Sequence, residues 1–492
     1  MVSPETVAAS HHPILPGFYP DPSICEAHGT YYVALSSFEY APGVPLWRSE
    51  DLLSWEPVAH ALPTDAHFPA GTSEPSRGVY APTLRYHDGR FWMITTNVHG
   101  SDGGHILVTA ERIEGPWSEP VVVALEGIDP DIAWDDQNRC LVTYCSTTSD
   151  PPRIVQAEID SATGAVLDEP RELWSGTGLL HPEAPHVIRR GQWWYLLIAE
   201  GGTERGHTVA IARGTSPRGP FVGAPHNPIL SHRSLSHQVQ NTGHADMIET
   251  PSGDWAMVYL GVRPRGFSPG FHVNGRETFL AGVTWREDWP HVDTEAFSIP
   301  EPQTFFSDSF DTWPLHPRWV SPGLRPEDFV APAPGGGALV SPAGSPIGRP
   351  SLLAARARDA WWESRVTVRP GLGTAVLTVR LDDRHWCEVR ADSTTVAAVT
   401  RIGDVESTLG TMAHSGGSVV LVARAVEPTT LGPDDVVVGF DADGAFTELG
   451  RIDGRYLSTE VAAGFTGRVI GVRAIDADVT VTTFGYGPTS IR

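Results

Sequence analysis

The sequence predicts an all-β protein with two domains, a five-bladed β-propeller followed by a β-sandwich. A short pattern, in which a polar turn with Gly or Asn leads into aromatic or apolar residues, recurs five times before residue 300. Each copy is followed by a second strand-like run, and helical periodicity is nearly absent. After residue 300 the chain continues in alternating polar and apolar runs, which are typical of a sandwich.

The five copies of the pattern follow one another at roughly 50–60 residues, a period that indicates radial repeats. Several units also end in a Trp or Phe beside Pro. Five units of short strands with Gly and Pro turns favour a propeller over the alternative, an array of β-sandwiches. The copies occupy residues 28–32, 88–92, 137–141, 190–194 and 252–256.

A linker rich in Pro and acidic residues, 298–302, separates the predicted domains, which span residues 1–300 and 301–492. The Gly-rich run at 332–337 lacks the Gly-Lys-Ser/Thr ending of a phosphate-binding loop, so we predict no nucleotide site there. Strand-like runs of the second domain occupy residues 363–368, 375–381, 386–391, 395–402, 418–425 and 469–474.

The composition bounds the partners and the location. With 35 Lys and Arg against 59 Asp and Glu, the formal charge of the 492-residue chain is −24. Such a chain disfavours nucleic acid and anionic membranes as partners and fits a neutral substrate. The four cysteines show neither metal-ligand spacing nor a disulfide framework. Residues 1–12 lack the features of a signal peptide, and we expect a cytoplasmic enzyme, with a homo-oligomer left open.

Counting back about ten residues from each strand opening reaches an equivalent point in every repeat. The inner strands of a propeller converge on its central channel, so the residues at this point are expected to meet there. Three carboxylates and one histidine come together in this way, and buried carboxylates without partners are costly. The five dipeptides are Asp21-Pro22, Ala81-Pro82, Asp129-Pro130, Glu183-Ala184 and His244-Ala245.

Three clustered acids suit glycoside hydrolysis, in which one acid protonates the leaving oxygen and a second activates water or attacks. A third acid keeps the proton donor protonated near neutral pH by charge repulsion. Two alternatives stay open. Asp21 and Asp129 could each simply cap a tight Asp-Pro turn, and acids with His244 could hold Ca²⁺, although no compact metal-binding loop is present.

The stretch from about His12 to Thr294 resembles the five-bladed propeller of glycoside hydrolase family 43, in the group of two-domain β-xylosidases and α-L-arabinofuranosidases. The resemblance implies inversion of configuration, with Asp21 as general base, Glu183 as general acid and Asp129 tuning the pKa of Glu183. The motifs that carry it occupy residues 18–25, 36–44, 127–132, 181–186, 199–203, 243–246 and 274–279.

Two positions depart from the family pattern and bear on substrate preference. Tyr80 stands where the group often has a Trp that acts as a sugar platform, and Ala184 stands where Gly is usual. Phe38 and Tyr80 are candidates for stacking on the sugar, with a core role as the alternative. The resemblance also places Arg276 in the pocket, where its guanidinium would donate to sugar hydroxyls and offset the negative charges.

Further polar candidates lie on the same strands. His244 is a candidate for holding a hydroxyl, an acid or, through water, Ca²⁺, and a hydrogen-bonded core histidine is the alternative. Thr203 is kept as a substrate-binding candidate together with two weaker neighbours, His186 and His207, for which turns and local hydrogen bonds are a sufficient explanation.

The second domain resembles the concanavalin-like sandwich of the same group at residues 454–460 and 464–467. By that resemblance a loop Phe, here Phe465, leans over the propeller mouth and helps to close it. A closed mouth admits one terminal sugar and implies exo action. The second domain, residues 301–492, is therefore expected to act as an accessory domain that closes the active site.

These expectations combine into an inverting exo-glycosidase that releases D-xylose from the non-reducing ends of xylooligosaccharides. The close alternative is release of α-L-arabinofuranose from arabinoxylan, or both activities. A non-catalytic carbohydrate-binding propeller is the alternative from another class. No cofactor is expected to be required, and a structural or channel Ca²⁺ is compatible with the sequence. The carboxyl groups of Asp21 and Glu183 are expected to lie ~6.5–9.5 Å apart, as in inverting enzymes.

Overall fold

The chain is described by a computed structural model that covers residues 11–99, 104–442 and 444–489. The expectation about a signal peptide rests on residues 1–12, most of which lie outside these ranges. Five four-stranded antiparallel sheets are followed by two larger sheets. This arrangement confirms the predicted fold class. No helix in the described ranges is long and apolar enough to cross a membrane.

Each of the five four-stranded sheets is a propeller blade whose strands follow one another in chain order. The recurring sequence pattern forms the first hairpin of each blade. In blades 1 and 2 its turn is His28-Gly29 and Asp88-Gly89, where all four residues have positive φ, as a tight two-residue hairpin requires.

The strands are, in blade 1, Ser23–Ala27, Thr30–Ala34, Gly43–Ser49 and Glu56–Leu62; in blade 2, Thr83–His87, Arg90–Thr96, His105–Ala110 and Val121–Val123; in blade 3, Ile128–Trp134, Cys140–Ser146, Arg153–Ile159 and Arg171–Trp174; in blade 4, Glu183–Arg190, Trp193–Glu200, Thr208–Gly214 and Val222–Gly223; in blade 5, Gln240–Glu249, Trp255–Val262, Glu277–Arg286 and Trp289–Asp293.

Apolar side chains fill the space between successive blades, and a separate buried cluster lies at each junction. The fifth cluster closes the ring, because it packs Ile24 and Val33 of blade 1 against Val258 and Leu280 of blade 5. Leu15 adds a two-way backbone pairing with Thr278, with both N–O distances 3.2 Å. The inner strands of all five blades therefore surround one central channel.

The second domain is a sandwich of two antiparallel sheets with its core between them. Its larger sheet contains Phe306–Asp308, Val330–Pro332, Ala338–Val340, Trp362–Arg369, Val419–Val426, Asp435–Ala442, Ala445–Asp453 and Val479–Pro488; its smaller sheet contains Leu353–Arg356, Thr374–Asp382, His385–Ala391, Thr395–Ile402, Val405–Ala413 and Val469–Ile475. The short helical turns are Ala70–Thr72, Pro326–Asp328, Gly454–Leu457 and Thr459–Ala462.

The sandwich packs directly against blade 1. Tyr40–Ala41 pairs with Ser321–Pro322 as a two-stranded sheet across the domain boundary. Phe18 and Tyr40 share a buried apolar cluster with sandwich residues that include Val469. The backbone N–H of Arg468 donates to the carbonyl of Val273 at 3.0 Å. These contacts hold the loop before Val469–Ile475 beside the bend that carries Arg276, directly before the strand Glu277–Arg286.

Candidate active site

The inner strands of blades 3, 4 and 5 share a bulge that turns a side chain toward the channel. In blade 3, Ile128 pairs with Cys145 and the next pair is Asp131 with Thr143, so two residues oppose one. The first residue of each bulge adopts left-handed backbone geometry, which disfavours residues other than Gly. These residues are Asp129 at φ 54°, Ala184 at φ 54° and His244 at φ 42°, and Asp21 precedes blade 1 at φ 58°.

The strand pairing corrects one predicted equivalence. Glu183 pairs with Ala199 before the bulge, as Ile128 does in blade 3, so Ala184 and not Glu183 occupies the position of Asp129. Counting residues from the strand opening missed this shift because the first hairpin turn differs in length, with residues 135–139 between the strands of blade 3 and residues 191–192 between those of blade 4. The X-Pro pairs Asp129-Pro130 and Ala184-Pro185 carried the correct register. The shift lets the N–H of Ala184 donate to Asp129 Oδ2 at 3.2 Å.

A cavity of about 290 Å³ opens at this end of the channel, and all nine predicted site residues line it. They are Asp21, Phe38, Tyr80, Asp129, Glu183, Thr203, His244, Arg276 and Phe465. Ala81, which the repeat count placed at the channel, also lines the cavity. Sequence reasoning missed four further lining residues, which are direct or near neighbours of predicted ones in the chain: Ile128, His181, Gly202 and Glu204. The weaker candidates His186 and His207 do not line this cavity.

Asp21 is buried and held by three partners. Arg276 Nη1 donates to its Oδ1 at 3.0 Å, and Ser36 Oγ donates to its Oδ2 at 2.5 Å. His244 Nδ1 lies 3.4 Å from Oδ1. Burial by itself would raise the pKa of Asp21, but Arg276, His244 and the Ser36 hydrogen bond outweigh it and lower the pKa below its usual value. Asp21 is therefore ionised and fixed in orientation.

Asp129 and Glu183 experience the opposite balance. Burial, followed by repulsion from Glu183 and Asp21, raises the pKa of Asp129 well above its usual value. Burial and repulsion from Asp21 raise the pKa of Glu183 to about 7, despite the opposing effect of Arg276. Between them, the two carboxyls therefore retain a proton near neutral pH beside an ionised Asp21, and a proton on Glu183 leaves the negative charge on Asp129. Carboxyls whose environments separate their pKa values in this way can divide into a proton donor and a base.

Three aromatic side chains form one wall of the cavity. Phe38 and Phe465 stack with ring centroids 6.0 Å apart, and Tyr80 meets both rings edge-on at 5.8 and 6.0 Å. The Arg276 guanidinium lies 5.6 Å from the Phe38 ring and 5.4 Å from the Phe465 ring. Arg276 Nη1 also donates to Thr203 Oγ1 at 3.0 Å. The cavity thus combines apolar faces with polar groups, as a sugar site requires.

A second layer of charge lies two residues further along the inner strands. Arg85 of blade 2 donates to Asp131 Oδ1 at 2.8 Å and to Asp246 Oδ2 at 2.7 Å. Its Nη2 lies 3.0 Å from His186 Nδ1, and Ser23 Oγ donates to Asp246 at 2.9 Å. These five residues, one from each blade, are named the channel plug. His186 is therefore a structural residue of the plug and not a residue of the cavity.

The described residues of the channel do not favour a directly coordinated Ca²⁺ ion. Within the described ranges, no group of three or more His, Cys, Asp or Glu side chains is arranged to hold a metal ion. Arg85 already neutralises Asp131 and Asp246, so the plug does not fit a directly coordinated cation. A Ca²⁺ ion held by His244 through water stays a prediction, and no step below uses it.

A family model described as glycosyl hydrolases family 43 matches residues 10–290, which is more than half of the chain. The chain belongs to glycosyl hydrolases family 43. The predicted resemblance is thereby confirmed, and the protein is a glycoside hydrolase. The match covers all five blades and every site residue except Phe465, which the sandwich supplies.

Relatives in family 43 cover most of the chain. A xylan 1,3-β-xylosidase of a Vibrio species is 35% identical over 408 residues, covering 78% of this chain and 71% of the relative. A non-reducing end α-L-arabinofuranosidase of Bacteroides ovatus is 33% identical over 493 residues, covering 94% of this chain and 90% of the relative.

Solved structures of the family match both domains together. The GH43B structure from a Bacteroides ovatus xyloglucan PUL has a TM-score of 0.87 at 30% identity, covering 97% of this chain and 99% of that one. A xylan β-1,4-xylosidase from Bacillus halodurans has a TM-score of 0.86 at 26% identity, covering 96% and 99%.

Proposed function

We propose that this protein is an inverting exo-glycosidase that releases one terminal pentose, D-xylose, from the non-reducing end of xylooligosaccharides. The observation that carries the proposal is the division of the three carboxyls within one small cavity. Asp21 is ionised beside Arg276, whereas Asp129 and Glu183 together retain a proton. An ionised base and a protonated acid are the two groups that hydrolysis with inversion needs.

In the proposed step, Asp21 takes a proton from a water molecule as the water oxygen attacks C1 of the sugar. The bond between C1 and the glycosidic oxygen breaks, and Glu183 transfers its proton to that oxygen. Asp129 keeps Glu183 protonated between turnovers through charge repulsion. Arg276 holds Asp21 in its ionised form and presents donors to sugar hydroxyls. A predicted separation of ~6.5–9.5 Å between the acid and the base leaves room for the water.

Exo action is supported by the shape of the cavity. Phe465 comes from the other domain and packs on Phe38 and Tyr80, so the aromatic wall is closed by the sandwich. A cavity of about 290 Å³ suits a single sugar unit at the end of a chain. The aromatic faces would stack on the apolar face of that sugar.

Release of α-L-arabinofuranose is the second candidate. It is favoured by the Bacteroides ovatus relative, an α-L-arabinofuranosidase that aligns with 94% of this chain. Both sugars are pentoses, and the same acid and base serve either one. We expect Tyr80 to influence the preference between xylose and arabinofuranose, because it stands where the group often has Trp.

The test is a comparison of kcat/KM for nitrophenyl β-D-xyloside, nitrophenyl α-L-arabinofuranoside, xylobiose and arabinoxylan. We expect the highest value on a xyloside. A preference for arabinofuranoside would replace the first candidate with the second, and no hydrolysis of any of the four would reject both.

Stereochemistry provides an independent test of the role of Asp21. Proton NMR of the first product formed should show an inverted anomeric configuration. A retained configuration would mean that a carboxylate attacks the sugar directly, and Asp21 could not then be a general base.

A further inference from the structure

The three aromatic side chains of the cavity wall are all linked to Ser76, a residue that does not line the cavity. Ser76 Oγ accepts the backbone N–H of Phe465 at 2.8 Å. The carbonyl of Ser76 accepts the hydroxyl of Tyr80 at 3.3 Å. The backbone N–H of Ser76 donates to Glu39 Oε2 at 2.9 Å, and Glu39 directly follows Phe38 in the chain. Ser76 is thus bonded to Phe465 and Tyr80 and linked to Phe38 through Glu39.

Glu39 connects Ser76 back to the sandwich. The side chain of Glu39 is fully buried, and its Oε1 lies 3.6 Å from Nη2 of Arg380. Arg380 also donates from Nη2 to Asp383 at 2.9 Å and from Nη1 to the Tyr40 hydroxyl at 2.5 Å. Burial raises the pKa of Glu39 above its usual value, although Arg380 and Arg349 act in the opposite direction.

These contacts form a closed ring across the domain boundary. Within the sandwich, Arg380 pairs with Val469, four residues after Phe465, and Thr466 Oγ1 lies 3.5 Å from the carbonyl of Leu381. The path Phe465, Ser76, Glu39, Arg380 therefore leaves the sandwich, enters the propeller and returns to almost the same point. The ring holds Phe465 from both sides of the interface.

Further contacts with the sandwich hold the loop that carries Ser76. Ser76 has φ 59°, a left-handed geometry unusual for serine. Arg349 of the sandwich donates to the carbonyl of Ser73 at 2.7 Å. A side chain on Gly464 would lie 2.5 Å from Ser76 Oγ, so only Gly allows the two loops to approach this closely.

We propose that Ser76 and Glu39 are positioning residues for the sugar-binding cavity, which hold Phe465 and Tyr80 at their places in the aromatic wall. Neither residue lines the cavity, and neither contacts the acids. Their effect is on sugar binding and not on the chemical step. The inference rests on the proposed function, because it concerns how the same cavity holds its terminal sugar.

The principal test is Ser76→Gly. Gly suits the positive φ and keeps the backbone bonds to Glu39 and Tyr80, so the substitution removes only the acceptor for Phe465. We expect KM to rise about 3- to 10-fold, the effect of one lost hydrogen bond, with kcat within twofold. The matched control is Ser234→Gly, because Ser234 also has positive φ (63°) and lies outside the cavity lining; its KM should not change.

A double-mutant cycle separates positioning from a general loss of stability. Phe465→Ala should itself raise KM, and adding Ser76→Gly to it should change KM no further, since the two residues act through one contact. Glu39→Ala, which removes the acceptor of the Ser76 backbone N–H, should raise KM in the same direction. Additive effects in the cycle, or an unchanged KM in Ser76→Gly, would overturn the proposal.

Hydrogen exchange gives a readout that does not depend on catalysis. The Phe465 amide should lose protection in Ser76→Gly and keep it in Ser234→Gly. If the wild type hydrolyses none of the four sugars, the proposed function fails, while the ring is still judged by this exchange. Unchanged protection of the Phe465 amide in Ser76→Gly would reject the ring by itself.

Discussion

Two layers of charge occupy the central channel, and they come from nearly the same residues of the same strands. The upper layer consists of the cavity acids, and the lower layer is the channel plug. Asp129 lies two residues before Asp131, and both are buried, as are Asp21 and Asp246, whereas Glu183 is half-buried. Yet the pKa of Asp129 is raised well above its usual value, whereas the pKa of Asp246 in the plug is lowered.

The two pKa shifts differ in direction because the two layers differ in which acids bond to an arginine. In the plug, burial would raise the pKa of Asp246, but Arg85 bonds directly to Asp246 and lowers that pKa, and Arg85 also bonds to Asp131. In the cavity, Asp21 is the one acid of the three that bonds to Arg276, which leaves Asp129 and Glu183 to repel each other. The partner, and not the burial or the residue type, decides whether an acid is structural or a proton donor.

The largest expected effect follows from removing the proton donor of the upper layer. Glu183→Gln should lower kcat on xylobiose by about 10²–10⁴-fold, because the leaving oxygen is no longer protonated. The loss should be smaller on nitrophenyl xyloside, whose leaving group needs little protonation. The measurement is the ratio of kcat on the two substrates. Asp246→Asn, which neutralises an acid of the plug, should leave that ratio unchanged; an equal shift there would erase the distinction between the layers.

The next effect concerns stability and should appear only in the plug. Arg85→Met leaves Asp131 and Asp246 buried without a counter-charge, which costs about 3–5 kcal/mol in the free energy of unfolding. Urea denaturation followed by tryptophan fluorescence measures the change. Arg112→Met removes an exposed pair with Glu114 and serves as the control, with an expected change within about 0.5 kcal/mol. Equal stability of Arg85→Met and wild type would mean that the plug is not a structural ion pair.

The sequence made the upper layer far easier to predict than the lower one. Asp21 and Asp129 begin the recurring X-Pro pairs, Glu183 stands one residue before such a pair, and all three lie within motifs of the family. Arg85 lies inside a strand with no motif around it, and its partners are 46 and 161 residues away. Only the closure of the five blades brings them together.

Two other features depend on strand pairing and domain contacts, which the spacing of residues in the sequence does not reveal. The shift that puts Ala184 at the position of Asp129 comes from the unequal lengths of the first hairpin turns in blades 3 and 4, which strand pairing shows and only the X-Pro pairs indicate in the sequence. Glu39 lies within a family motif, but its partner Arg380 is 341 residues further along the chain, in the other domain. Local pattern predicted which residues enter the cavity, whereas the contacts that hold them come from the assembled fold.

The smallest expected effect is a shift in the pH dependence of kcat and not a loss of activity. It compares an acid of the cavity directly with an acid of the channel plug. Glu183 must be protonated to act, so kcat should fall as the pH rises through about 7, the raised pKa of Glu183. Asp129→Asn removes a negative neighbour, which lowers the pKa of Glu183 and should move this basic limb down by about one pH unit.

Asp131→Asn makes the same substitution two residues further along the same strand. Asp131 is paired with Arg85, and its charge is neutralised where it stands, so the basic limb should keep its position. The pH profile of kcat on xylobiose for the two variants checks this. A limb that moves equally in both would show that total channel charge sets the pKa of Glu183. A limb that moves only in Asp129→Asn would show that one unpaired neighbour sets it.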